Sequence, residues 1–256
     1  PWGYRVVNLA LHLLNTWLLW LVARRVVSVP AAVLAVGLFA LHPVQTESVA
    51  YISSRPDLLG LTCVLLGLWC VERGWWIGAV VACLAAFLAK ETFAVACVLV
   101  PLWALWRGRW SESLEAGALW LMATLAVWGL WTYGGLLSIE AMGRVLVQWG
   151  RLLLLWFLPI GLTIDHDWAL IPTGLAWAVL AITVVALAIV ALGWLMVERP
   201  PWWALALVWA VVIIAPRLVV PLAEGLHEHH LYLMTPILSL CAGAWMTNQR
   251  TENLTT

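Results

Sequence analysis

Nine apolar runs, broken by charges and prolines, fall at roughly 4–23, 29–42, 58–72, 75–89, 92–106, 115–136, 173–197, 202–222 and 230–246. No soluble core of this size could hide them. Of 256 residues, 64% are hydrophobic and 10% charged, with mean hydropathy +0.98; a soluble domain is nearer half apolar and a quarter charged. The surplus must face lipid, where a spanning backbone has to satisfy its own polar groups and therefore forms helices here. The expectation is an all-α, polytopic transmembrane helix bundle over residues 1–246, with a polar tail at 247–256. Several runs are shorter than the about 20 residues that cross a bilayer, which fits tilted or partly buried helices.

Other classes are disfavoured by composition. The formal net charge is zero, so no nucleic-acid partner is expected through phosphate neutralisation. Cys63, Cys70, Cys83, Cys97 and Cys241 all sit in apolar runs without a CxxC pair and read as small buried hydrophobes. Many of the 21 tryptophans flank the runs (Trp2, Trp75, Trp76, Trp106, Trp110, Trp202, Trp203), as an interfacial aromatic belt does. The chain opens Pro1-Trp2-Gly3, with no signal-peptide pattern, and is expected to be a processed or partial version of a longer one.

Loop charges set the expected orientation. Arg24, Arg25, Arg73, Arg107, Arg109, Arg199 and Arg250 fall at alternate loops and are placed in the cytoplasm by the positive-inside rule. The alternation requires residues 138–168 to begin and end on the outer face. Arg144 and Arg151 then ride an amphipathic or re-entrant segment at the interface; a full crossing by 150–162 is the competing reading.

With this topology the outer loops gather the acids and five of six histidines, as a ligand or catalytic site would. In LHPVQTESVAYISSRPDLL, Val44, Val49 and Ile52 could form the apolar side of a short surface helix. His42, Glu47, Arg55 and Asp57 would line its polar side. The alternative is an ordinary interfacial helix with a local Arg55–Asp57 ion pair. Lys90 and Glu91 interrupt two apolar runs, implying a partner or wet cleft, or else a neutralised helix end. Arg217 follows Pro216 inside an apolar run and either meets a phosphate or snorkels to headgroups. Glu224 and His227 to His230 lack the i, i+4 spacing of helix-borne metal ligands, so no metal is expected; these residues suit hydrogen bonding to a polar ligand.

The string LHPVQTESVAYISSRPDLL resembles the signature of GT-C type membrane glycosyltransferases, specifically tetratricopeptide-containing enzymes related to the protein O-mannosyltransferases. PWGYRVVNLALHLLNTWLLW, with Asn8 and His12 in register, LAAFLAKETFAVACVLVPLW, LPIGLTIDHDW and EHHLYLMTPILSL resemble further segments of that family, in order. The resemblance implies a GT-C-like bundle moving a sugar from a polyprenyl-phosphate carrier to a protein or other hydroxyl acceptor on the non-cytoplasmic side. Arg55, Lys90 and Arg217 become candidates for the phosphate. His42, Glu47, Asp57, Glu91, Glu228, His229 and Tyr232 become candidates for the sugar and acceptor pocket. The family's catalytic acid lies in a loop before the helix matching 4–23, so no catalytic residue is assigned. In the last motif His230 stands where the family has Arg. No cofactor is expected beyond the lipid-linked donor. Membrane lipid, and either a protein acceptor or neighbouring membrane subunits, are the expected partners. A bacterial inner membrane is favoured over the endoplasmic reticulum. The second functional reading is a catalytically silent scaffold subunit. On the transferase reading, His42, Arg55, Lys90 and Glu228 should converge at the extracytoplasmic end of the bundle.

Overall fold

The computed structural model describes residues 2–109, 139–163, 201–219 and 227–252, and elements are numbered along these. They are helical: α1 (Trp2–Val26), α2 (Val29–Leu41), α3 (Gln45–Ala50), α4 (Arg55–Arg73), α5 (Trp76–Ala89), α6 (Ala96–Trp106), α7 (Ile139–Phe157), α8 (Trp202–Val219) and α9 (Thr235–Glu252). Short 3₁₀ turns at Ile52–Ser54, Glu91–Val95 and Glu228–Leu233 lead into α4, α6 and α9. The expected runs at 115–136 and 173–197 lie outside the described residues.

The helix α1 shows why this is a membrane bundle. Trp2, Val6, Leu9, Leu13 and Trp17 recur at three- and four-residue steps and are 48–78% exposed. The opposite stripe, Asn8, His12, Asn15, Leu19 and Val22, is 0–5% exposed. Apolar side chains face outward and polar ones inward, the reverse of a soluble helix. The chain is an integral membrane protein. Among the described residues two helices, Trp2–Val26 and Ile52–Arg73, are long and apolar enough to cross a bilayer. The remaining apolar helices are shorter; α2, at 13 residues, spans only about 20 Å.

Helix starts and stops follow local chemistry. Pro30 and Pro56 sit in the first turns of α2 and α4, where a missing N–H costs nothing. Gly74, at φ 72°, ends α4 in the left-handed region, with its N–H on the Val71 carbonyl and that of Trp75 on the Cys70 carbonyl. Inside the bundle α1 packs on α2 and α4, α4 on α5 and α6, and α8 on α7 and α9. α9 also packs closely on α2. A Cβ at Gly243 would stand 2.5 Å from the Ala31 carbonyl oxygen and 3.0 Å from the Ala35 Cβ. Small residues let two backbones meet where burial of apolar surface supplies little force.

One end of the bundle holds Arg24, Arg25, Arg73 and Arg107 with Trp75, Trp106 and Trp202, the Trp106 and Trp202 rings being 4.5 Å apart. At this end Arg107 also has a structural role. The Glu72 carboxylate is fully buried and meets Arg107 Nε at 2.8 Å and Arg109 Nε at 3.3 Å. Trp103 Nε1 donates to it at 3.0 Å, and Arg107 Nη2 reaches the Arg25 carbonyl at 3.1 Å. A buried carboxylate requires such pairing, and here it ties α1, α4 and α6 together.

Replacing Gly243 with Leu forces α2 and α9 apart. We expect a loss of about 1–3 kcal/mol, read as a lower unfolding temperature in detergent, while Gly150→Leu, where a Cβ meets nothing within 4 Å, changes little.

Candidate active site

The opposite end carries the polar cluster, and its base is set inside the bundle. From the inward stripe of α1, Asn8 Nδ2 donates to the carbonyls of Val49 and Tyr51 at 3.3 and 3.0 Å. His12 Nε2 donates to the Ala40 carbonyl at 3.1 Å, which leaves Nδ1 to accept the Tyr232 hydroxyl at 2.8 Å. Asn15 Nδ2 donates to Tyr232 Oη at 3.2 Å and to the Leu58 carbonyl, while Thr62 Oγ1 donates to Asn15 Oδ1 at 2.7 Å. Tyr232 and Asn15 are completely buried. Each of these groups would be costly unpaired. Together they fix the Glu228–Leu233 turn against α1 and α4.

On that base sit two polar pairs, Glu47 with His229 and Asp57 with Lys90. The His229 backbone N–H donates to Glu47 Oε2 at 2.9 Å and its Nδ1 to Glu47 Oε1 at 2.9 Å. Lys90 Nζ bridges Asp57 Oδ1 and Oδ2 at 2.9 and 3.0 Å. The Asp57 carboxylate therefore does not pair locally with Arg55, because Lys90 arrives from the end of α5 with better geometry. Lys90 and Glu91 also part company: Lys90 turns inward and Glu91 is exposed.

A small cleft of about 40 Å³ lies between the pairs, lined by Asp57, Thr92, Phe93, Trp149, His229 and Leu233. It has room for on the order of three water molecules. The Phe93 ring rests on Gly60, where a Cβ would lie 2.6 Å from it, and so brings the Lys90–Val95 segment onto α4.

The α7 helix lies along this end. Trp149 lines the cleft, and one face of α7, Leu146, Trp149, Leu152 and Trp156, is buried. The Trp156 carbonyl accepts His42 Nε2 at 2.7 Å, and the two rings stack 5.3 Å apart at 3°. Trp149 and Trp156 thus both belong to the polar end. The Arg144 side chain lies outside the described residues. His42 Nδ1 accepts the Val44 N–H at 3.2 Å. Burial is the main cause holding the His42 pKa below its ordinary value, with the Trp156 carbonyl partly opposing it. Glu228 Oε1 accepts the Thr163 N–H at 2.7 Å, securing the chain after α7.

Arg55 stands at the rim. It is half-buried, its guanidinium carbon is 5.0 Å from the Tyr4 ring centroid, and its buried Nε has no hydrogen-bond partner among the described residues. The α3 surface helix differs from expectation: Val44, Glu47 and Ser48 point into the protein while Tyr51 and Ile52 are exposed. The Arg217 backbone continues α8, and its side chain lies outside the described residues, as do Glu224 and residues 164–167. His42, Glu47, Arg55, Asp57, Lys90, Glu228, His229 and Tyr232 are brought to one end. Sequence reasoning missed Asn15, Thr62 and Trp149. A polar i, i+4, i+7 stripe of Asn8, His12 and Asn15 in an apolar run was the available signal.

A family model described as dolichyl-phosphate-mannose-protein mannosyltransferase matches residues 1–133. The chain belongs to that family. Protein O-mannosyl-transferase Tmtc1 of Drosophila melanogaster is 42% identical over 100 residues, covering 36% of this chain and 12% of that protein. Protein O-mannosyl-transferase Tmtc2 of the same organism is 48% identical over 67 residues, 26% of this chain and 7% of that protein. The chain thus matches a small part of each relative's length. No solved structure matches. Both relatives are animal proteins, so the expected preference for a bacterial inner membrane finds no support. Glu228 to Tyr232 lie beyond the span matched by the family model, yet dock on Glu47, His12 and Asn15 within it.

Tyr232→Phe leaves His12 Nδ1 and one Asn15 N–H unpaired, and a loss of about 1–3 kcal/mol is expected. Chemical denaturation in detergent measures it. For His42, the folded pKa lies below the unfolded value of about 6.5. Its stabilising contribution is therefore complete above pH 6.5 and falls away as pH drops through the folded pKa. In thermal melts at pH 7 and pH 5, His42→Gln should narrow the difference seen for the unmodified protein.

Proposed function

We propose that this chain is the membrane part of a glycosyltransferase that passes a sugar from a polyprenyl-phosphate carrier to a protein hydroxyl on the extracytoplasmic face. One observation carries the reading: the Glu228–Tyr232 turn is seated on the N-terminal motif through Glu47, His12 and Asn15, while Arg55 stands at an apolar rim against Tyr4. Tyr4, Tyr51 and Ile52, 39–52% exposed, make that rim suitable for an isoprenoid chain. The names of the relatives point to mannose as the sugar and to protein as the acceptor.

Departure of the carrier phosphate develops negative charge, which a preorganised cation stabilises. Arg55 can offer its guanidinium fork to two phosphate oxygens. It has no carboxylate to surrender first among the described residues. Lys90 is held by Asp57, so its part is to fix the cleft wall. Arg217, the third cation considered, remains a candidate through its place near the end of α8. The cleft is too small for a sugar ring, so the sugar sits at its mouth and only a hydroxyl or water reaches within.

Arg55→Ala in the full-length protein should lower transfer from polyprenyl-phosphate mannose to an acceptor peptide by roughly 10²-fold. Arg55→Lys should recover part of it. Radiolabel transfer in membranes is the measurement. Unchanged transfer in Arg55→Ala and Lys90→Ala alike would remove this site.

A further inference from the structure

The arginines at the end opposite the candidate active site fall into two groups. Arg107 and Arg109 close on the buried Glu72 carboxylate. Arg24, Arg25 and Arg73 stay outside that cluster. All three are exposed, and no carboxylate among the described residues meets them. They share one region because Arg107 Nε donates to Glu72, next to Arg73, while its Nη2 donates to the Arg25 carbonyl. One guanidinium thus bridges the C-terminal ends of α1 and α4. Those helix ends offset about half a charge each, so a surplus of about two positive charges remains.

Two further features say what kind of anion this surplus fits. Tryptophan rings hold the guanidinium groups in place. The Arg73 guanidinium carbon is 5.5 Å from the ring centroids of both Trp69 and Trp75, which pack edge to face 5.4 Å apart, and that of Arg24 is 5.5 Å from Trp20. An aromatic face occupies one side of the guanidinium plane and leaves its N–H edge for the oxygens of a phosphate. The second feature is apolar. Across the Gly74 turn from Arg73, α5 carries Ile77, Val81, Leu84 and Leu88, 48–82% exposed. Steps of three and four residues place them in one outward stripe, which leads away from the arginines along the helix. A cation above an apolar track matches a molecule with an anionic head and hydrocarbon chains. A free phosphate would use only the cation.

We infer that Arg24, Arg25 and Arg73 bind the headgroup of an anionic phospholipid in the leaflet at this end, with its acyl chains laid along α5. The phosphate accepts charge-assisted hydrogen bonds from the guanidinium forks. Bound there, the lipid links the ends of α1 and α4 and adds to the brace that Arg107 and Glu72 supply. Stability of the bundle then depends on the composition of the membrane, independently of the transfer chemistry at the other end.

The test uses the full-length protein in detergent micelles, with phosphatidylglycerol, phosphatidylcholine or inorganic phosphate added. Phosphatidylglycerol should raise the unfolding temperature and stay bound in native mass spectrometry, and the other two should do neither. Each of Arg24→Gln, Arg25→Gln and Arg73→Gln should weaken its retention about fivefold, and the triple variant should lose the stabilisation. Arg5→Gln, at an exposed position near the other end of α1, should keep it. Ile77→Ser combined with Val81→Ser should also weaken retention, although every arginine is present. Full stabilisation by phosphatidylglycerol in the triple variant overturns the assignment, as does an equal loss in Arg5→Gln. A shift with inorganic phosphate as large as that with phosphatidylglycerol marks a plain anion site and overturns it too. Should the triple variant fail to fold, the three single variants decide the question by the same comparison.

Discussion

A polar group taken out of water into an apolar bundle is costly without a partner, and this constraint organises the base of the polar end. The inward stripe of α1 meets it with Asn8, His12 and Asn15, whose partners come from α2, α3, α4 and the turn before α9. Because each bond reaches across 28 to 220 residues of sequence, the stripe does more than satisfy itself. It decides where the site-bearing segments stand. The same principle explains why Tyr232 is buried without exposure yet retains its hydroxyl.

The two ends of the bundle use charge differently. At the arginine end Glu72 is enclosed by Arg107, Arg109 and Trp103, so that the cluster closes on itself and braces three helices. The other end leaves capacity over. Asp57 is matched by Lys90 and Glu47 by His229, whereas Arg55, among the described residues, is matched by an aromatic face. Surplus capacity at a rim between protein and lipid is what a charged, lipid-linked substrate would need. An entirely self-satisfied end would only hold the fold.

The α7 segment joins the site to sequence that a family comparison over residues 1–133 does not reach. Its Trp149 forms a cleft wall and its Trp156 stacks on His42. The Glu228 bond to Thr163 then anchors the chain that follows. Three separated stretches thereby share one small volume, each held by a hydrogen bond whose loss would leave a buried group unpaired.

Much was legible in the residues before any coordinates. Apolar runs marked α1, α2, α4, α5 and α6 to within a few residues, because lipid demands helices and Pro30, Pro56 and Gly74 favour their ends. The acids and histidines of the two motifs could be read as one site, since their charge has no place on a lipid-facing surface. Which acid meets which base could not. Asp57 chooses Lys90 over its near neighbour Arg55, and Glu47 chooses His229 across 182 residues. Glu72 likewise meets Arg107 and Arg109 only because α6 packs beside α4. Pairing of this kind depends on the distance and desolvation of groups that packing brings together, and those quantities exist only once the helices have been laid side by side.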